Sequence, residues 1–413
     1  MRIWIFQSGE PLPTDSGELR PMRAINLSNA LTEKGHQVVL WSSDFDHFTK
    51  KHRTGRNSVI KHGQNLEIRL IKSKGYRSHI SFSRLFDHAQ LAWNLCREMK
   101  GVEVPDIAFV GYPPIEPAWV MTRRLKRLGV PVQLDVKDAW PEVLVRGFPN
   151  ITKPFAKLIL FPYFILMKQT FRNCSGISAP TTTFLDWALA QINRKRNAMD
   201  IVTPLTSQII DIPVEDEDSA RAWWESKLQL NTEIFRASFV GTFNSAFDFS
   251  PIVYAAEAHP NYQFVLAGDG PQFSNIKDKC KSMTNVFFPG WISVSQARVL
   301  YKHSDVLLAP LLDLPDFNMS IQNKFYDAMA QGIPIVTSIK GVARKFIEEN
   351  RIGYLYENSP IASLSDCLKN IELQSEEKNL RSKKAKEVYA QQFTFEKVYG
   401  DLVAHLAQIS NKL

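Results

Sequence analysis

The chain has few cysteines and none in a useful pattern. Cys96, Cys174, Cys280 and Cys367 lie far apart, with no Cys-x-x-Cys and no histidine at metal spacing, so neither a zinc site nor a disulfide framework is indicated and a reducing cytoplasm is the expected location. Long apolar runs are missing too. No segment approaches the roughly 20 apolar residues of a membrane span, and the opening Met1-Arg2-Ile3-Trp4-Ile5-Phe6-Gln7 is too short an apolar run for a signal peptide and reads as a first buried strand. There is no Gly-x-Gly-x-x-Gly and no Gly-Lys-Ser/Thr, which removes the dinucleotide fingerprint and the phosphate loop. A single-sign tail is also absent: 50 Lys plus Arg against 42 Asp plus Glu leave a net charge of +8 spread along the chain. That balance suits anionic partners such as nucleotides or phospholipid surfaces, or simply a basic soluble protein; nucleic acid is not an expected partner.

What is present is enough chain for two cores. At 413 residues, with 44% apolar and 22% charged residues, two globular domains are the default. Ile3 to Phe6 runs into a loop of Gly, Pro and small polar residues, 7–17. Ala24, Leu27, Leu31 and a closing Gly35 then mark an amphipathic helix, and Val38 to Trp41 a second strand. This is a βαβ opening, and a loop at a strand's carboxyl end is where open α/β sheets bind ligands. Gly17 and Arg20 are its candidates, Arg20 alternatively lying on the exposed side of the helix. His47, His52 and His62 have no ligand spacing and read as surface residues.

Strand-like Pro105 to Val110 ends in Gly111-Tyr112-Pro113-Pro114, and the next strand carries the sharpest motif of the first half, Leu134-Asp135-Val136-Lys137-Asp138-Ala139-Trp140-Pro141-Glu142. Asp135, Asp138 and Glu142 gather three carboxylates with Lys137 at a strand's carboxyl end. Close carboxylates raise one another's pKa and can make one a proton acceptor. Asp138 can also cap the helix that Pro141 begins, and capping and catalysis are compatible. The ten-residue apolar run 158–167, beside Lys153, Lys157, Lys168 and Arg172, is too short to span a bilayer. It fits either a membrane interface or a buried interdomain helix kinked at Pro162.

The acidic stretch 213–218 reads as a linker ahead of a helix, with the boundary near residue 206. Four strand ends turning on Gly or Pro then follow: Val240-Gly241, Ala267-Gly268, Pro289-Gly290-Trp291 and Ala309-Pro310. They describe a second doubly wound sheet. The block 323–336 is the centre of this half. Phe325, Ala328 and Met329 form one apolar stripe, Gly332 closes the helix in a left-handed cap, and Ile333 to Val336 begins a buried strand. Asp327 on that helix can accept two ribose hydroxyls, and a helix start near Ser320 offers free N–H groups to a phosphate.

The block Lys324-Phe325-Tyr326-Asp327-Ala328-Met329-Ala330-Gln331-Gly332-Ile333-Pro334-Ile335-Val336 resembles the donor-site helix of glycosyltransferase family 4, retaining enzymes of the GT-B fold. The segment 135–142 resembles the Asp-x-Arg-Asp-x-Trp-Pro-Glu motif of the subgroup that builds bacterial O-antigen and capsule with amino sugars of the L-fucosamine type. The resemblance implies two Rossmann-like doubly wound parallel-sheet domains: 1–205 binding the acceptor, 206–392 binding the nucleotide sugar, and 393–413 a helix crossing back to the first. It gives Asp327 the nucleotide ribose, Gly241 the diphosphate turn and Trp291 the base edge, although Trp291 is equally readable as core. It implies no metal and no bound cofactor, a UDP-sugar as co-substrate, and a saccharide acceptor carried on polyprenyl diphosphate at the inner face of an anionic membrane.

Two departures stand against it. The Arg and Lys that usually follow the Phe-Val-Gly strand are replaced by Thr242, Asn244 and Ser245, with Lys324 and Arg344 as substitutes. The first acid of the Glu-x7-Glu pair falls at Met319. A UDP-sugar 2-epimerase of the same fold, or an inactive scaffold subunit, is the alternative.

Overall fold

The computed structural model describes residues 1–17, 20–77, 81–209, 212–228, 230 and 233–412. The chain divides into two compact units, one of Met1–Asp15, Arg20–Ser207 and Phe395–Leu413, the other of Ser16–Leu19 and Gln208–Thr394.

The first unit is built on strands β1 (Arg2–Phe6), β2 (Gln37–Ser43), β3 (Ser58–His62), β4 (Leu66–Ile71), β5 (Ile107–Tyr112), β6 (Val132–Val136), β7 (Gly176–Ala179) and β8 (Ile201–Val202). Their order is β3-β4-β2-β1-β5-β6-β7-β8. Every pairing is parallel except the edge pair β3–β4. Ile3, Ile5, Ile107 and Val132 are wholly buried, as a sheet covered on both faces demands of its central strands. Helix Arg23–Glu33 lays Leu27 and Leu31 on this sheet. The last helix, Phe395–Lys412, adds Phe395, Tyr399, Leu402, Leu406 and Ile409 to the same core. Because β1 lies between β2 and β5, the strand order reverses at β1/β5, and loops at the carboxyl ends there diverge into a crevice.

The second unit holds β9 (Arg236–Val240), β10 (Gln263–Ala267), β11 (Val286–Gly290), β12 (Val306–Ala309), β13 (Ile335–Thr337) and β14 (Gly353–Leu355), all parallel, in the order β11-β10-β9-β12-β13-β14. The order reverses between β9 and β12. Phe239, Phe264, Leu266, Val306 and Val336 form its core with Leu364 and Leu368. Two doubly wound α/β sheets are therefore the fold expected from the strand-end pattern.

Three local expectations are corrected. The acidic stretch 213–218 is no linker: Glu215, Asp216 and Glu217 are the first turn of helix Val214–Glu225, where negative side chains oppose the positive end of the helix dipole. The apolar run 158–167 is not one kinked helix but breaks at Leu160 into helices Lys153–Ile159 and Phe161–Asn173, and it is buried only in part, Leu160 and Met167 lying inside and Leu158, Ile159 and Phe161 exposed. The N-cap position of the helix after Pro141, Glu142–Arg146, is Pro141 itself rather than Asp138, whose carbonyl accepts from Trp140 N at 2.9 Å.

Candidate functional site

At the carboxyl ends of β9 and β10 the backbone comes unusually close to itself. Gly241 N donates to Ala267 O at 3.0 Å, and a Cβ on Gly268, whose φ is +130°, would lie 1.8 Å from the Gly241 carbonyl oxygen. Only glycine lets the loops after β9 and β10 interlock in this way. Behind Gly241 the rings of Phe243 and Phe249 stack at 4.7 Å, and Phe239 meets both edge-on.

Helix Asn323–Gln331 carries the polar side chains to this point. Phe325, Tyr326, Ala328 and Met329 are buried, and Gly332 closes it with φ +69°. The apolar stripe thus turns Lys324 and Asp327, one turn apart, toward the strand ends. The Lys324 Nζ lies 4.4 Å from the centroid of Phe239 and 4.3 Å from that of Phe247. A Cβ on Gly241 would lie 3.3 Å from the same nitrogen. Among the described residues this buried Nζ has no hydrogen-bond partner. Burial pulls its pKa down to about 7 against the opposing charge of Asp327. Asp327 itself is half-buried.

The other candidates of this unit fare differently. Ser320 is buried in a turn, its N donating to Phe317 O at 3.2 Å, and the helix begins three residues later, after Gln322. Arg344 reaches Glu357 at 2.8 Å and Glu348 at 3.1 Å, so its charge is already matched by two carboxylates. Trp291 stands at the end of edge strand β11 and is 63% exposed, which removes the core-packing reading. Sequence reading missed Lys340, which follows β13 and pairs at 2.9 Å with Asp313 in the loop after β12; its only signal was its place just past a strand end.

In the first unit the residues of 135–142 part company. Asp135 and Lys137, two apart, face the same side. Asp135 is fully buried, accepts from Ser178 Oγ at 2.8 Å and pairs with Arg23 Nε at 3.4 Å. Arg23 also donates to the Thr203 and Pro204 carbonyls at 2.6 and 3.1 Å. Lys137 bonds Glu10, whose second oxygen accepts from Ala24 N at 2.9 Å in the first turn of helix Arg23–Glu33. Burial opposes the Lys137 charge, but Glu10 and Asp135 outweigh it and hold its pKa up. These are two anchored ion pairs, and Glu10 and Arg23 were not singled out in the sequence. Asp138 is exposed, while Glu142 is half-buried, its Oε2 without a hydrogen-bond partner among the described residues and its pKa raised by burial. Gly17 is exposed with φ +96°, and Arg20 is half-buried ahead of the helix rather than on it.

A second polar cluster borders the ends of β2, β4 and β5. Glu116, in the first turn of helix Ile115–Arg127, is buried and its carboxyl is pushed up to about 7 by that burial. His88 Nδ1 lies 3.7 Å from it and is held neutral, with a pKa of about 3, by burial and then by Arg84 and His47. His47, read as a surface residue, is half-buried with Nδ1 2.5 Å from Tyr76 OH. Nothing local marks His88 or Tyr76, because this cluster is assembled from separate loops and helices.

No group of three or more His, Cys, Asp or Glu among the described residues is placed to hold a metal ion. Residues 239–371 match the family of glycosyl transferases group 1. No curated protein matches the chain. Among solved structures it is similar to sucrose-phosphate synthase from Thermosynechococcus elongatus, at TM-score 0.77 and 16% identity with 100% of each chain covered. HepE of Anabaena in complex with UDP-glucose follows at TM-score 0.65 and 13% identity, over 99% of this chain and 100% of that one. WaaG, a glycosyltransferase involved in lipopolysaccharide biosynthesis, matches at TM-score 0.62 and 12% identity, over 97% and 98%. At these identities the likenesses establish the GT-B fold, and with the domain match they support a GT-B glycosyltransferase.

Proposed function

We propose that the chain is a retaining glycosyltransferase that moves a sugar from a UDP-sugar to a saccharide acceptor. One observation carries the reading: the Lys324 ammonium sits without a hydrogen-bond partner among the described residues, against the Gly241 backbone and on the helix that bears Asp327. A buried cation with no bonded anion is a site waiting for negative charge. A nucleoside diphosphate supplies it, its ribose hydroxyls donating to the Asp327 carboxylate and its phosphates taking the Lys324 N–H donors and the backbone near Gly241.

In the proposed reaction the bond from the sugar's C1 to the diphosphate oxygen breaks and one to the acceptor oxygen forms, with the same anomeric configuration. The charge that develops on the departing diphosphate is stabilised by Lys324, a positive group fixed before the reaction begins. The acceptor belongs to the first unit, where exposed Asp138 contacts its hydroxyl and takes the proton, with Glu142 held closer to neutrality by burial. The burial and pairing of Asp135 give it the task of anchoring Arg23 instead. The likeness of 135–142 to the surface-polysaccharide subgroup supports an amino-sugar donor and a polyprenyl-diphosphate-linked acceptor. UDP as the nucleotide is favoured by the likeness to HepE, which was solved with UDP-glucose.

Calorimetric titration with UDP, GDP and NAD tests the site. Selective UDP binding, weakened about 10-fold or more by Asp327→Ala through loss of a charged hydrogen-bond acceptor, is the expected result. Equal UDP affinity in wild type and variant removes the donor site and the function with it.

A further inference from the structure

We propose that the two-helix segment Lys153–Ile159 and Phe161–Asn173, with the turn before it, is a docking surface for an anionic phospholipid bilayer. The inner faces of both helices hold to the first unit through Ala156, Leu160, Met167 and Phe171, all buried. The outer face of such a segment is ordinarily polar. Here it carries Ile151, Phe155, Leu158, Ile159, Phe161 and Ile165, exposed by 94, 65, 69, 50, 58 and 41%. Large apolar side chains exposed singly are commonplace, but six within fifteen positions on one segment concentrate exposed apolar surface in the way that marks an interaction site.

Charge identifies the occupant. No Asp or Glu occurs between Glu142 and Asp186, whereas Arg146, Lys153, Lys157, Lys168 and Arg172 all fall inside that interval. Apolar residues to enter the acyl boundary, flanked only by cations to meet lipid phosphates, are the composition of an interfacial helix. A second copy of the chain is a poor fit. A two-fold contact would set this patch against itself and bring like charges together with no acid within the segment itself to offset them. A spanning role is out of reach as well, since among the described residues no helix is long and apolar enough to cross a membrane. The segment lies in the interface plane, and helix Glu142–Arg146 joins it to the turn that holds Asp138. Lipid binding would therefore bring the proposed acceptor end of the first unit to the membrane surface. The inference itself stands on the patch and not on the nucleotide reading.

The experiment is co-sedimentation of the full chain with vesicles of phosphatidylcholine alone or with about 30% phosphatidylglycerol. Wild type is expected to bind the anionic vesicles at least about 10-fold more tightly than the neutral ones, and to release as salt shortens the screening length. Leu158→Glu with Phe161→Glu should lose about 10-fold or more on both vesicles, while Lys157→Ser with Lys168→Ser should lose on the anionic ones alone. All four side chains are exposed, so unchanged thermal melts and unchanged UDP titrations would show that folding and the nucleotide site are intact. Equal sedimentation of wild type and the Leu158/Phe161 variant overturns the proposal. So does a wild type that ignores vesicles and forms a dimer which that variant dissolves, since the patch is then a contact between copies.

Discussion

Lys324 places an ammonium against two phenyl rings, and its chemistry follows from that setting. Its pKa of about 7, lowered by burial from 10.5, means that the unfolded chain binds more protons than the folded one between those values, so this residue makes stability rise with pH across that window. Lys324→Met is therefore expected to stabilise the protein near pH 7 by roughly 1–3 kcal/mol, the cost of an unbonded buried polar group. The gain should shrink toward pH 10 in denaturant titrations. Nucleotide binding should move the other way. A bound diphosphate raises the lysine pKa, so binding takes up a proton above pH 7. UDP affinity should fall up to about tenfold per pH unit from 7 to 9, a range in which the nucleotide's own phosphates are already ionised. A flat calorimetric profile over that range would mean that Lys324 does not meet the phosphates. The carboxylates of 135–142 separate at the same scale. Asp135→Ala leaves the buried Arg23 without its carboxylate and should cost about 3 kcal/mol or more of stability. Asp138→Ala, at an exposed position, should leave the melt within about 0.5 kcal/mol while acceptor-dependent UDP release drops about 100-fold or more.

Among the elements, helix Asn323–Gln331 was the most legible, because its apolar stripe repeats at helical spacing and Gly332 is free to adopt the left-handed closing geometry. Its start was not. Gln322, the N-cap, makes no side-chain capping bond, so nothing local separates it from Ser320. The stretch 213–218 was misread for a related reason: acids in a first helical turn have the composition of a linker. The interlocked loops after β9 and β10 are a property of elements rather than of any side chain. Gly268→Ala would press a Cβ to 1.8 Å from the Gly241 carbonyl, at a φ of +130° that suits only glycine. It should cost about 3 kcal/mol or more and weaken UDP binding together with stability, read by denaturation and titration of the same samples. An alanine there with wild-type stability and affinity would show that the loops have room to separate.

For the whole molecule, the doubly wound class was legible because parallel strands covered on both faces must be nearly all apolar, and because four strand ends of the second half turn on a Gly or Pro. Periodicities of this kind act over a few residues, so the chain order alone carried them: two α/β sheets, the position of Asp327 and Lys324 on one helix, and the gathering of carboxylates just past β6. Pairings across long separations had no such signature. Arg23 with Asp135, Lys137 with Glu10 and His88 with Glu116 join residues 28 to 127 positions apart; the first two exist because the strand order brings β1, β5 and β6 side by side, the third because helices Phe82–Glu98 and Ile115–Arg127 pack together. The fate of the run 158–167 was likewise undecided by its composition, since an apolar helix can be buried or bared with the same residues. Only the packed structure decided that its buried face was already satisfied by Ala156, Met167 and Phe171, leaving Leu158, Ile159 and Phe161 outside. Local periodicity chooses the elements, and the tertiary fold chooses which of their charges and apolar faces find a partner.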